Sequence, residues 1–164
     1  MSETSARYGW QSDLPAFVQV SPAAIESALL QFLHGASSQQ ITSWHDSIRW
    51  LQREYDRCVR EQHAAETYYT LLEYELPRDF RRPDIIVLEG GTVVVLEVKG
   101  YAGAGQAARD QVAGYARDLA AYHSACADRP VVPVVVPSDG PAEAQQKDGV
   151  SIIGPHGVAQ FLLG

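Results

Sequence analysis

The spacing of apolar residues predicts two helices in the first third of the chain. Ser21-Pro22 is typical of a helix start, because a hydroxyl side chain caps the first turn and proline fits inside it; this helix should end near residue 33. A longer helix is predicted after Ser37-Ser38, with apolar residues three or four positions apart and polar residues between them. Its apolar face comprises Ile41, Trp44, Ile48, Leu51, Tyr55 and Val59.

After residue 67 the pattern changes to that of strands. Residues 68–76 are rich in aromatic and aliphatic side chains, which favours a strand. Two further apolar runs, Asp84 to Leu88 and Thr92 to Val98, are joined by Gly90-Gly91, which is typical of a β-hairpin. Because both runs are apolar at successive positions, the sheet should be covered on each face.

The rest of the chain continues this alternation. The pattern predicts a helix over 106–123, a strand over 131–136, a surface loop over 138–148, a short strand over 150–153 and a closing helix over 156–163. A crossover helix brings the following strand into the sheet in parallel, whereas a hairpin makes antiparallel neighbours. The expected fold class is therefore α/β, with a mixed central sheet flanked by helices.

Length and composition limit the domain organisation. With 164 residues, of which 46% are hydrophobic and 20% charged, the chain is expected to form one globular domain over 15–164, preceded by a flexible tail over 1–14. The sequence has no stretch apolar enough to span a bilayer and no signal-peptide pattern at its start. A cytoplasmic protein without membrane contact is therefore the expectation.

Charge and metal-binding residue types narrow the function. A net charge of −7 argues against a surface that binds nucleic acid throughout, but it permits a local site. Two distant cysteines cannot make a four-ligand zinc site, so both are expected to be reduced structural thiols. The five histidines show no zinc-ligand spacing and receive no role.

The residues that carry chemistry lie at the end of the second hairpin strand. Glu97 and Lys99 share one face of that strand, and the hairpin brings Asp84 opposite them. Two carboxylates suit Mg²⁺ or Mn²⁺, and a lysine can orient a water molecule or stabilise charge that develops on a phosphate. The alternative is a structural salt bridge at a strand end, since buried charges need partners.

Pro83-Asp84 followed by Glu97-Val98-Lys99 resembles the signature of the PD-(D/E)XK nuclease superfamily. The resemblance covers residues 41–136 and implies a restriction-endonuclease-like αβββαβ core, with an extra N-terminal helix and a C-terminal strand and helix. It also implies that Asp84, Glu97 and the backbone carbonyl of Val98 bind Mg²⁺ or Mn²⁺, and that Lys99 is catalytic. The substrate it implies is DNA, with RNA as an open alternative.

Gln111 and Tyr115 lie four residues apart on the next helix, which resembles the Gln-x-x-x-Tyr element of the RecB-like branch beside the active site. In the alternative interpretation, Tyr115 is a core residue and Gln111 flanks it. The wider run from Leu72 to His123 is similar to the nuclease-like segment that precedes Schlafen-type helicase or ATPase domains. A helicase or ATPase is therefore a candidate partner, although the chain contains no Walker motif.

Weaker candidates surround this motif. Glu73 and Glu75 share a strand face, and Glu75 is the preferred candidate for an additional metal carboxylate because it is nearer to Asp84. Three arginines before Asp84 either contact phosphates of a nucleic acid or neutralise nearby carboxylates. These are Arg78, Arg81 and Arg82. Trp44 could stack on a base, but its place on the helix stripe favours the core.

The leading hypothesis is a metal-dependent nuclease that acts on DNA, and the resemblance adds DNA repair or defence as its setting. One alternative is a catalytically weak or inactive nuclease-fold module that binds or regulates a helicase or another partner. A homodimeric structure-specific nuclease is a third alternative.

Overall fold

Short apolar segments and their turns build an open β-sheet. The computed structural model describes residues 7–76, 81–123, 126 and 128–164. Within these residues the strands form one seven-stranded sheet in the order β1-β2-β3-β4-β5-β7-β6. The strands are β1 (Trp10–Asp13), β2 (Tyr69–Leu72), β3 (Ile85–Glu89), β4 (Thr92–Lys99), β5 (Val131–Pro137), β6 (Gln145–Lys147) and β7 (Val150–Ile152).

The sheet is mixed, as the order of the predicted elements required. Strands β1 to β4 pair in antiparallel fashion, β4-β5 and β5-β7 are parallel, and β6-β7 is antiparallel. The predicted α/β class with a mixed central sheet flanked by helices is therefore confirmed. The parallel step from β4 to β5 follows from the crossover through a helix.

Helices pack on both faces of the sheet, as the apolar strands predicted. Ser21 and Ser37 cap α2 and α3, because their hydroxyl oxygens accept hydrogen bonds from Ala24 N (3.2 Å) and Gln40 N (3.1 Å). The helices are α1 (Leu14–Gln19), α2 (Pro22–Phe32), α3 (Ser38–Glu61), α4 (Gln106–Tyr122) and α5 (Val158–Leu163), with 3₁₀ turns at His63–Thr67 and Pro155–Gly157.

The core has two layers, one on each side of the sheet. On one side α3 buries Ile48, Leu51 and Tyr55 in a cluster that also contains residues of α1, α2 and α5. On the other side Val112 and Leu119 of α4 pack against the sheet. The thiols of Cys58 and Cys126 are buried and free, one in each layer.

The predicted hairpin between β3 and β4 is confirmed, and it sets the register of the strand ends. Glu89 pairs with Thr92 across a two-residue turn in which Gly90 has a φ of 57°. Glycine adopts this left-handed conformation at little cost. From this turn the register runs to the pair Ile85 and Leu96, so the residues one step further lie at the same edge of the sheet.

Three predictions of element boundaries were wrong. Residues 10–14 do not belong to a flexible tail: Trp10–Asp13 pairs with β2, and the buried Leu14 begins α1. The predicted strand over 68–76 ends at Leu72, because Glu73 takes a φ of 53°. The predicted loop over 138–148 contains β6, a three-residue strand too short to show alternation.

The C-terminal helix begins at Val158, after a 3₁₀ turn over Pro155–Gly157, rather than at residue 156. No helix among the described residues is both long enough and apolar enough to cross a lipid bilayer.

Candidate functional site

Three carboxylates lie in a row across the ends of neighbouring strands. The pair Ile85 and Leu96 is the last printed step of the β3-β4 register, and Asp84 and Glu97 come one step beyond it. On the other side of β3, Glu73 N donates a hydrogen bond of 3.0 Å to Asp84 O. The strands β2, β3 and β4 therefore bring Glu73, Asp84 and Glu97 to one edge of the sheet.

The carboxyl groups of Asp84 and Glu97 lie within hydrogen-bonding reach of each other. The second oxygen of Asp84, Oδ2, accepts a hydrogen bond of 2.8 Å from Val98 N. Glu97 is only 5% exposed, and its Oε2 is buried without a hydrogen-bond partner among the described residues. An acceptor left bare in this way is rare in a folded protein and marks a place for a proton or a cation.

Burial and mutual repulsion make the pair hard to ionise. Burial is the main cause that raises the pKa of Glu97 to about 9, and the charge of Asp84 raises it further. Burial also raises the pKa of Asp84, against the opposing effect of the Val98 N–H. Two carboxyl groups that share a desolvated site hold a proton between them at neutral pH, unless a cation replaces it.

Helix α4 holds Lys99 in position through two polar side chains. The Lys99 ammonium donates a hydrogen bond of 3.0 Å to Gln111 Oε1 and lies 3.9 Å from Glu97 Oε1. In turn, Gln111 Nε2 donates to the Tyr115 hydroxyl at 2.9 Å. The structure therefore brings together all five residues that were predicted to be catalytic. Tyr115 is also a core residue, being only 4% exposed.

The loop after β4 packs closely on the lysine. A Cβ atom at Gly103 would lie 2.3 Å from the Cβ of Lys99 and 2.8 Å from the carbonyl oxygen of Gly100. Only glycine leaves room for this approach. The three glycines of this loop were visible in the sequence, but its contact with Lys99 was not.

On β2 the carboxylate beside Asp84 is Glu73, and not Glu75. The left-handed φ of Glu73 turns its side chain toward α3, where Trp44 Nε1 donates a hydrogen bond of 3.0 Å to Oε1. Burial, followed by the charge of Asp84, raises the pKa of Glu73 to about 7. Glu75 instead lies on a segment whose N–H binds Arg7 O at 2.6 Å.

Trp44 is a buried residue, as its place on the helix stripe favoured. It is 7% exposed, and its indole N–H is used by Glu73. The base-stacking alternative for this residue is therefore excluded, because no face of the ring is accessible to a substrate.

Two of the predicted arginines contact carboxylates. Arg81 forms an ion pair with Asp118 of α4, and its guanidinium lies 5.3 Å from the ring centroid of Tyr115. Arg82 Nε lies 3.7 Å from Glu73 Oε2. These contacts are those of the neutralising role. Arg78 lies outside the described residues.

The carboxylate pair opens into a cleft of about 730 Å³ between the first half of α3 and the end of β4. Its floor contains Asp84, Glu97 and Lys99. Its walls are largely polar and uncharged, with Asp46 as an acidic member. They include Gln40, Ser43, Ser47 and Trp50 of α3, Ser138 after β5, and Pro155.

The described residues contain no group of three or more His, Cys, Asp and Glu side chains arranged to hold a metal ion. The donors that the site does offer are the adjacent carboxylates of Asp84 and Glu97, together with backbone oxygen. In an extended strand the N–H and C=O of one residue point to the same side. The carbonyl of Val98 therefore faces the β3 side, where its N–H meets Asp84.

Comparisons of the chain with protein-family models, with curated proteins and with solved structures gave no significant match. The functional argument therefore depends on the chemistry of this cleft.

Proposed function

We propose that this chain is a metal-dependent nuclease domain of PD-(D/E)XK type that hydrolyses phosphodiester bonds of DNA in the cleft at the end of β4. The observation that carries the proposal is the adjacent pair Asp84 and Glu97, which has a bare buried oxygen and a lysine 3.9 Å away. The element order α3-β2-β3-β4-α4-β5 is the αβββαβ order that the sequence resemblance implies.

The donors of the cleft fit Mg²⁺ or Mn²⁺. Both cations prefer oxygen ligands, and Mg²⁺ commonly binds through one or two carboxylates with water and phosphate completing its shell. Asp84, Glu97 and the Val98 carbonyl would hold it, and the bare Oε2 of Glu97 would gain a partner. When bound, such a cation polarises a phosphate oxygen and lowers the pKa of a bound water.

Lys99 stabilises the charge that builds up during hydrolysis. Water attacks phosphorus, the new P–O bond forms, and the ester bond to the leaving oxygen breaks. One N–H of Lys99 is used by Gln111, so two remain for the phosphate or the attacking water. Because Gln111 is itself held by Tyr115, the ammonium is positioned before substrate arrives, which favours charge stabilisation in the transition state.

The test compares wild type with Asp84→Asn, Glu97→Gln and Lys99→Met on single- and double-stranded DNA and RNA in Mg²⁺ or Mn²⁺. We expect cleavage by wild type and a loss of roughly 100-fold or more in each variant, as for removal of one transition-state contact. Glu75→Gln is the matched control and should keep wild-type activity. Cleavage that is absent from wild type, or equal in all variants, contradicts the proposal.

A second candidate is a binding or regulatory module that keeps the fold but cleaves slowly or not at all, and that serves a helicase or ATPase partner. The acidic balance of the chain favours it, because Lys99 is the one cationic side chain among the described residues that line the cleft. Calorimetric titration with Mn²⁺ separates the two candidates. Heat that disappears in Asp84→Asn supports the nuclease, and no heat in wild type supports the module.

A further inference from the structure

The wall of the cleft continues along α3 beyond the carboxylates. Trp50 is partly exposed and lines the cleft. Arg53 and Arg57 follow it by three and seven residues, so the three side chains lie on one helical face. Successive positions of this row are separated by about one helical turn, or roughly 5 Å.

The two arginines carry more positive charge than their partners neutralise. Their side chains are 48% and 44% exposed, and both contact the same carboxylate, that of the buried Glu54, at 3.4 Å. Glu54 also accepts a hydrogen bond of 3.1 Å from Ala159 N, so its charge is shared further. The exposed Glu61 lies 4.0 Å from Arg57, at the limit of an ion pair.

A second contact locates this row at the rim of the cleft. Arg57 Nη1 donates a hydrogen bond of 3.3 Å to the carbonyl oxygen of His156. The preceding residue, Pro155, lines the cleft. The guanidinium groups therefore begin where the cleft meets the protein surface, and Trp50 lies between them and the carboxylates.

We propose that Trp50, Arg53 and Arg57 form a track that binds a single-stranded nucleic acid as it enters or leaves the cleft; this deepens the proposed nuclease function and rests on it. An aromatic platform next to cationic side chains is the combination that binds single strands, because any base stacks on an indole and any phosphate meets an arginine. Glu97 is only 5% exposed, so a flexible strand reaches it more readily than a rigid duplex does.

The test measures binding by fluorescence anisotropy with a labelled single-stranded oligonucleotide in EDTA, where hydrolysis does not interfere. We expect Trp50→Ala to weaken binding by about tenfold, as for loss of one stacked base. Arg53→Gln and Arg57→Gln should each weaken it by several-fold and lower the salt slope by about 0.7, the value for one phosphate contact on a single strand. A duplex of the same sequence should bind more weakly.

Arg129→Gln is the matched control. It removes the same charge from an exposed arginine whose contact is the carbonyl of Gly90, at the hairpin turn at the other end of β3 and β4. Its affinity should equal that of wild type. Circular dichroism checks that each variant is folded, since the arginines contact the buried Glu54.

The salt dependence of wild type needs no variant and decides the matter if a variant does not fold. A slope of about −1.4 or steeper fits two or more phosphate contacts. A slope near zero, unchanged affinity in folded Trp50 and arginine variants, or a preference for the duplex overturns the track. Such a result leaves the nuclease proposal intact if Asp84→Asn still abolishes cleavage. Conversely, binding without any cleavage overturns the nuclease proposal and keeps the track as a binding surface.

Discussion

Individual side chains of the site carry an electrostatic cost. Glu97 and Asp84 are buried side by side, and the charge of each opposes ionisation of the other. Glu73 adds a third carboxyl group whose pKa is raised to about 7. Interactions of this kind lower stability in the absence of a cation, and such trade-offs are common at functional sites.

The first residue-scale prediction concerns Glu97→Gln without metal. A carboxyl group whose pKa rises from 4.5 to about 9 on folding adds stability that is complete below pH 4.5 and is lost as the pH rises toward 9. Glutamine lacks this loss. In EDTA at pH 8.5 the variant should be more stable than wild type by at least about 1 kcal/mol, the value of roughly one pKa unit.

Thermal unfolding at pH 5 and pH 8.5 measures this difference. The gain of Glu97→Gln should be smaller at pH 5, where wild type keeps its protonated carboxyl group. The exposed Glu61→Gln is the control and should show no such trend. An equal gain at both pH values would mean that the Glu97 carboxyl group is not the cause.

A second residue-scale prediction concerns Gly103→Ala. The added methyl group would lie 2.3 Å from the Lys99 Cβ, so the loop or the lysine must move. Overpacking of this kind costs about 1–3 kcal/mol, and urea unfolding measures it. Gly100→Ala is the control in the same loop, because no atom lies within 4 Å of its added Cβ, and its stability should stay near wild type. Equal stabilities of the two variants would contradict the packing argument.

At the scale of elements, α3 joins the two ends of the molecule. Its apolar stripe packs on the sheet, its first half forms a wall of the cleft, and its last turns hold α5 through Glu54. The stripe was predicted from periodicity, because steps of three and four place residues on one face. The contact with α5 was not, since a polar residue within an apolar stripe does not reveal its distant partner.

The prediction at this scale is that Glu54→Ala loosens α5. The change leaves Ala159 N without its acceptor and leaves Arg53 and Arg57 without their common partner. We expect a loss of roughly 2–4 kcal/mol in the free energy of unfolding, measured in urea. Hydrogen exchange over 158–163 should become faster. Glu61→Ala removes an exposed carboxylate on the same helix and should cost less than about 0.5 kcal/mol.

For the molecule as a whole, cation binding, protonation and folding are linked. A ligand that binds the folded state alone stabilises it, by about 2.7 kcal/mol at a concentration one hundred times its dissociation constant. Protons compete for the same carboxyl groups, whose pKa values are raised. Added Mn²⁺ should therefore raise the melting temperature more at pH 8 than at pH 6, and EDTA should reverse the effect.

Differential scanning fluorimetry with and without Mn²⁺ checks this prediction. In Asp84→Asn the shift should be largely lost. An equal shift in wild type and in that variant would indicate that the cation binds elsewhere.

Local patterns in the chain were enough to locate the main helices, the Gly90-Gly91 hairpin and the constellation of Asp84, Glu97 and Lys99. Periodicity, turn chemistry and strand alternation act over a few residues, so they can be read without knowing the fold. The hairpin register even placed Asp84 opposite Glu97, because a two-residue turn leaves little freedom in the pairing.

Other features depend on contacts between residues far apart in the chain, and the tertiary structure alone decided them. The choice of Glu73 over Glu75 follows from one left-handed φ that turns the side chain toward Trp44, 29 residues away in sequence. Trp10–Asp13 forms a strand because β2 offers it an edge. The cleft wall of α3 exists because the helix crosses the ends of strands, which no local pattern encodes.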